Sequence, residues 1–228
     1  MLPIGTTESQ VTVFPPRTLA RMIPPKPIPP PPRERLLKAA EDLFHRYGIR
    51  GVGVEAIAEA AGTNKMTLYR HFPSKDELVA EWISGIVAEK EAAWEAIAAR
   101  HPGDPRAQLT EWSDLVARKL SEMDKRCSVF MNSLAELPEK EHPARRVIEA
   151  YKLREHKRIL RLCREAGFPE PELRADQFFF LLEGAHSSVQ CIGLKRVGEQ
   201  LVRTVQAWIS ASSGPAAADQ TPVRRSSR

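Results

Sequence analysis

Few cysteines, no long apolar run and no alternating pattern narrow this chain before any motif is sought. Its three cysteines, Cys127, Cys163 and Cys191, lie far apart and form no CxxC pair. Thiols so placed predict neither a disulfide framework nor a zinc site, and they fit a reduced, cytoplasmic protein. No flanking pattern argues for a lowered thiol pKa, so they do not read as a redox sensor. No apolar stretch approaches the roughly 18 to 20 residues of a membrane helix, and prolines interrupt any apolar core a secretory leader would need. No segment alternates convincingly with period two, which argues against a sheet. The sequence also lacks a GxSxG elbow, a P-loop, HExxH and a dinucleotide fingerprint. It is therefore not expected to be an enzyme, or to need a metal or cofactor.

What is present suits a globular protein with a sizeable core: 228 residues, 42% hydrophobic and 28% charged, with a formal net charge of +5. That excess permits a polyanionic partner, but only its location makes the case. Residues 1–32 are proline-rich and end in PPKPIPPPP, which favours extended polyproline II and cannot join a packed core. Residues 212–228 are small, polar and basic and also read as a disordered tail.

Between the tails the pattern is helical throughout. Leu36, Ala40, Leu43, Phe44 and Tyr47 recur at helical spacing before Gly48. A short helix covers VEAIAEAAG, with Val54, Ile57, Ala58 and Ala61 on one face, and another runs from about Lys65 to His71. A fourth opens at Ser74, where SKDE places Glu77 at the spacing of a capping box, and runs to HPGDP. Further helices are expected at 106–124, 127–137, 143–166, 172–194 and 196–211, with Pro138, Pro143 and GFPEPE as punctuation. The expectation is an all-α protein of about nine helices. It divides into an N-terminal three-helix unit with a helix-turn-helix at 33–78 and a helical domain at 79–211.

The two short helices joined by AGTN carry the functional signal. Ala58 and Ala61 are small enough for a close crossing, Gly62 relieves the turn, and Asn64 suits the cap of the next helix. Leu68 and Phe72, four apart, can anchor that helix inward, leaving Lys65, Met66, Thr67, Tyr69, Arg70 and His71 largely outward. A helix of this kind can lie in a major groove and offer groups to phosphates and base edges. From Arg33 to Lys75 there are eight Lys/Arg against five Asp/Glu, and the stretch from Thr63 to Lys75 contains no carboxylate. The N-terminus of the helix opening at Ser74 would add a positive dipole end. A charge run alone reads more simply as a solvated helix face; the turn chemistry and anchor spacing shift the balance toward nucleic acid.

Residues 33–80 resemble the N-terminal domain of the TetR family of bacterial repressors. The match centres on GVEAIAEAAGTNKMTLYRHFPSKDEL, particularly IAEAAG followed by TLYRHFPSKDEL. The resemblance implies that Asn64 opens the recognition helix, that Lys65, Met66, Thr67 and Arg70 meet bases or nearby phosphates, and that Tyr69, His71 and Lys75 grip the backbone. Arg33 and Arg35 could add phosphate contacts. Two positions depart from the family pattern: Gly53, where Thr or Ser often caps the second helix, and Met66, where many members carry a small residue.

The same resemblance implies a homodimer on double-stranded operator DNA, and a C-terminal domain that often binds a small-molecule effector. The apolar stretches QFFFLLEGAHSSVQCIGL and LVRTVQAWI, with Gly184, Ala185, Ser187 and Ser188, suit packing against a second copy, although burial within one subunit would use the same residues. An effector pocket is sought among Trp82, Trp112, Met123, Phe130, Met131, Leu134, Phe178, Phe179 and Glu183. Such side chains are more often plain core than ligand lining. His186 could orient a ligand or sit satisfied in the core. Repression fits this pattern, with activation, a helical adaptor docking through its proline tail, and a hydrolase built on His186 as alternatives. No membrane partner is expected.

Overall fold

Short polar caps and prolines set the helix boundaries. A computed structural model describes residues 29–122 and 128–211; of the tail expected at 1–32, residues 1–28 lie outside these while Pro32 already opens α1, and the tail expected at 212–228, Met123 and Cys127 lie outside as well. Among the described residues there are nine helices and no strand, as the periodicity leads one to expect. They are α1 (Pro32–Tyr47), α2 (Val54–Ala60), α3 (Lys65–His71), α4 (Lys75–Arg100), α5 (Pro105–Glu122), α6 (Val129–Glu136), α7 (Pro143–Glu165), α8 (Pro171–Ile192) and α9 (Leu194–Ala211).

Proline stands in the first turn of α1, α7 and α8, where its missing N–H is no loss. At α3 and α4 side chains serve instead. Asn64 Oδ1 accepts the Thr67 N–H at 2.9 Å, and Ser74 Oγ accepts the Glu77 N–H at 3.1 Å. Each satisfies a donor that a helix start leaves without a partner. Gly53 at the start of α2 supplies no such bond.

Two apolar clusters organise the described residues. The first joins α1, α2, α3 and the N-terminal half of α4, and it also takes in Phe130, Leu137, Ile148 and Tyr151 from α6, the turn after it, and α7. The second joins Trp94 and Ile97 of α4 to α5, the C-terminal half of α7, α8 and α9. Helices α4 and α7 therefore run through both. Phe44 meets Trp82 at 5.2 Å between ring centroids in the first cluster, and Trp94 stacks on Trp112 at 3.9 Å in the second. Fully burying a large apolar side chain contributes about 1.5–3 kcal/mol, so the anchors Leu68 and Phe72, both essentially inaccessible, tie α3 firmly to the rest.

Among the described residues one carboxylate is buried outright. Glu155 is buried on α7, where it accepts from the Tyr151 hydroxyl at 3.0 Å and from Lys152 at 2.9 Å, and Lys152 also reaches Glu183 of α8 at 2.6 Å. A buried carboxylate requires such partners.

Candidate nucleic-acid interface

The helix-turn-helix is set by backbone bonds that few residue types permit. After α2 the chain turns with Gly62 at φ +63°; its N–H donates to Glu59 O at 2.9 Å, and the Thr63 N–H donates to Ala58 O at 2.9 Å. This is the paired closure of a Schellman turn, with glycine at its left-handed position. Asn64 then caps α3. The turn and cap aim α3, while Leu68 and Phe72 fix which side faces inward.

The opposite side of α3 is open. Met66 is 84% exposed and Tyr69 43% exposed, and Asn64, Lys65 and Arg70 are exposed as well, with Thr67 and His71 half-buried. The structure thus brings Asn64, Lys65, Met66, Thr67, Tyr69 and Arg70 onto one short helix and its cap. Lys65 is held by Glu55 of α2 at 2.6 Å, and its ammonium lies 5.9 Å from the Tyr69 ring centroid. The hydrogen bond to Glu55 raises the Lys65 pKa and lowers that of Glu55. Arg70 has no ion pair among the described residues. His71 Nε2 is buried without a hydrogen-bond partner among them.

The flanking cations sit differently. Lys75 donates from Nζ to Ile49 O at 2.6 Å, tying the start of α4 to the loop after α1, and burial pushes its pKa down. Arg33 pairs with Glu81 and lies 5.3 Å from the Phe72 ring centroid, and Arg35 Nε is buried without a hydrogen-bond partner among the described residues. Asp76 and Glu77 occupy the first turn of α4 and already face its positive end.

The loop after α1 also meets α6. Arg50 N–H donates to Glu136 Oε2 at 2.8 Å, and a Cβ placed on Gly48 would lie 2.8 Å from Glu136 Oε1. Arg145 of α7 donates to Leu137 O at 3.1 Å and so holds the end of α6. His142 Nε2 and Asp76 approach to 3.4 Å. These polar contacts add to the apolar packing of α6 and α7 on the first cluster.

Deeper in the helical body is a cavity of about 220 Å³, walled by Ile86, Lys90, Trp112, Val116, Phe130 and His186 among others. Of the residues singled out from the sequence, Trp112, Phe130 and His186 line it. Trp82 lines a separate space of about 60 Å³ beside Phe44 and His45. Phe178 packs against Trp208 with centroids 5.3 Å apart, and Phe179 meets His156 edge-on at 5.6 Å. Met131 is 41% exposed, Leu134 packs on the first cluster, and Glu183 is bonded to Lys152. The residues so gathered by type are therefore dispersed by the fold. Among the lining residues that sequence reading did not offer for a pocket, Lys90 carries the chemistry. Its signal was available: it interrupts the apolar stripe of α4 between Ile86 and Ala93, which both face the cavity. His186 Nδ1 lies 2.8 Å from Leu182 O, and burial lowers its pKa.

Residues 36–82 match the family model described as bacterial regulatory proteins, tetR family. The chain is 44% identical over 46 residues to the HTH-type transcriptional regulator RutR of Escherichia coli, a match covering 20% of this chain and 22% of that protein. It is 40% identical over 55 residues to the HTH-type transcriptional repressor KstR2 of Mycobacterium tuberculosis, covering 24% of this chain and 28% of the relative. The curated relatives are thus matched over less than a third of their own length. Structural likeness reaches further. A TetR-family transcriptional regulator from Streptomyces coelicolor superposes with a TM-score of 0.75 at 24% identity, covering 80% of this chain and 96% of that one. A tetR-type transcriptional regulator from Streptomyces avermitilis superposes at 0.67 with 29% identity, covering 80% and 98%.

Proposed function

We infer, from the premise that this chain belongs to the TetR family of bacterial regulatory proteins, that it is a transcriptional regulator, most simply a repressor, binding operator DNA through α3. The observation that carries this reading is the outer side of α3: an exposed Met66, Tyr69 and Arg70 on a helix that the Gly62 turn, the Asn64 cap and the buried Leu68 and Phe72 hold rigid. Preorganised side chains lose little entropy on docking, and a cationic, carboxylate-free helix is attracted to phosphate. Lys65 would exchange Glu55 for a phosphate oxygen as DNA arrives. Met66 offers an apolar contact of the kind a thymine methyl group accepts.

The chain would act as a homodimer, because two recognition helices one DNA turn apart read a near-palindrome. Support comes from the outward side of α8, where Phe180 is 67% and Ile192 53% exposed beside Gly184 and Ser188 along the groove with α9. An effector in the cavity would favour one spacing of the recognition helices over another, through a difference in affinity for the two states. Phe130, near the start of α6, walls the cavity, while Glu136 at its end touches the loop after α1. That makes α6 the natural route between them.

The experiment is fluorescence anisotropy with the DNA upstream of the protein's own gene and with a site obtained by random-sequence selection, across a salt series. Wild type should bind one site tightly and salt-dependently. Tyr69→Ala/Arg70→Ala should abolish this at unchanged helix content, and Arg70→Ala alone should flatten the salt slope by about 1. Lys75 is left in place because it holds the loop at Ile49. Failure to select any DNA sequence would overturn the reading.

A further inference from the structure

The cavity lined by α4, α5, α6 and His186 of α8 has a mostly apolar wall, and of its charged lining residues Glu89, Lys90 and Lys119 it is Lys90 whose charge burial opposes. Lys90 extends into it from α4, with its ammonium 5.8 Å from the Trp112 ring centroid and 5.7 Å from that of Phe130. No carboxylate or other hydrogen-bond acceptor among the described residues reaches it. The two carboxylates nearest in the interior, Glu155 and Glu183, are each already bonded to Lys152, at 2.9 and 2.6 Å. Desolvation lowers the Lys90 pKa, and Lys152 and Lys119 oppose its charge from α7 and α5. A desolvated ammonium without a partner is unfavourable, and aromatic faces compensate it only in part.

We propose that this cavity is built for a small amphipathic monocarboxylate, its apolar body against Ile86, Val116 and Phe130 and its carboxylate paired with Lys90. The assignment rests on the effector reading above, and it names the chemistry of the effector. Size supports it: at about 220 Å³ the space lies below the roughly 300 Å³ at which drug-sized pockets begin, so a bicyclic aromatic acid is near the upper limit. Charge supports a single negative group. Lys119 lines the same space, but Glu89 lines it too, and a second anionic group would meet that carboxylate. His186 does not compete for the role. Burial and the nearby Lys90 both hold it below an ordinary histidine pKa, so near neutral pH it is an uncharged wall.

Binding of 2-naphthoate and its neutral isostere 2-naphthamide tests the assignment by titration calorimetry and by quenching of tryptophan emission, since Trp112 forms part of the wall. The full-length protein should bind naphthoate at one site per chain and at least about tenfold more tightly than the amide, as expected for a charge-assisted pair out of water. Lys90→Met should remove that preference without weakening the amide, and Lys90→Gln should behave likewise. Thermal unfolding and circular dichroism of both variants establish that the fold is intact. No naphthoate binding by wild type, equal or tighter binding of the amide, or undiminished naphthoate binding by both Lys90 variants would overturn the proposal. DNA anisotropy in the same samples separates the two readings. Lys90-dependent naphthoate binding by a protein that selects no DNA would sink the regulator reading alone, and a DNA-binding protein that prefers the amide would sink the monocarboxylate alone.

Discussion

The carboxylate of Glu136, the last residue of α6, accepts the Arg50 backbone N–H at 2.8 Å and fills the space in which a side chain at Gly48 would lie. Gly48 has φ +76°, a region that residues with a Cβ rarely adopt. Gly48→Ala is therefore strained twice, by its backbone and by the collision. It should destabilise the protein by about 1–3 kcal/mol in urea denaturation. Glu136→Ala removes a hydrogen bond at an exposed site and should cost about 1 kcal/mol. The double variant should be more stable than the sum of the two, because Glu136→Ala relieves the collision and leaves only the backbone cost. Strict additivity would mean that Glu136 does not pack on Gly48 in solution.

Capping predicts effects of opposite sign at the starts of α2 and α3. Asn64→Ala removes the acceptor for the Thr67 N–H and should destabilise by about 1 kcal/mol. Gly53 starts α2 in an extended conformation with no side-chain bond, so Gly53→Ser can add one at no backbone cost and should stabilise by a few tenths of a kcal/mol. Thermal unfolding of the two variants beside wild type measures both. A loss from Gly53→Ser would show that the serine hydroxyl does not reach the first turn of α2.

Cys163 is fully buried, and desolvation pushes its thiol up to about 12. Only a thiolate is nucleophilic, so iodoacetamide at pH 8 to 9 should leave Cys163 unmodified in the folded protein and alkylate it in denaturant, as read by peptide mass spectrometry. The linkage has a definite sign. The unfolded thiol ionises at its ordinary value while the folded one stays protonated. Stability from this group is therefore complete below about pH 8.5 and lost as pH rises toward 12. Alkylation of Cys163 in the folded state at neutral pH would contradict the burial.

Naphthoate affinity should fall with rising pH earlier than the titration of an exposed lysine would dictate. Lys90 must be charged to pair with the carboxylate, and burial holds its pKa below the ordinary lysine value. The groups facing it do not reverse the trend: Lys119 and Lys152 oppose its charge, Glu155 and Glu183 support it, and His186 is neutral above pH 7. Because bound carboxylate favours the ammonium, binding on the alkaline side should take up a proton, measurable by calorimetry in buffers of different ionisation enthalpy. A pH-independent affinity from 7 to 10 would place the carboxylate elsewhere.

What the sequence determined by itself is everything local. Helical periodicity, proline and glycine punctuation and the Asn64 and Ser74 caps are written in residues a few positions apart, so the helices could be placed to within about two residues of where they lie. The turn AGTN and the spacing of Leu68 and Phe72 likewise announced which side of α3 faces outward, because a seven-residue helix with two anchors has little choice. Tertiary structure decided what depends on packing between distant segments. It bound Lys75 to Ile49 and Arg33 to Glu81, which no spacing encodes, and so distinguished these tied cations from the open Arg70. It also put Phe178 in plain packing and Trp82 beside a separate space of about 60 Å³, while leaving Trp112 and Phe130 on the wall of the main cavity. Aromatic residues are apolar in either place, and their type alone carries no information about a void beside them. A lysine within an apolar stripe does carry such information, because an ammonium can remain inside a fold only where the surrounding helices leave room for its charge to be met.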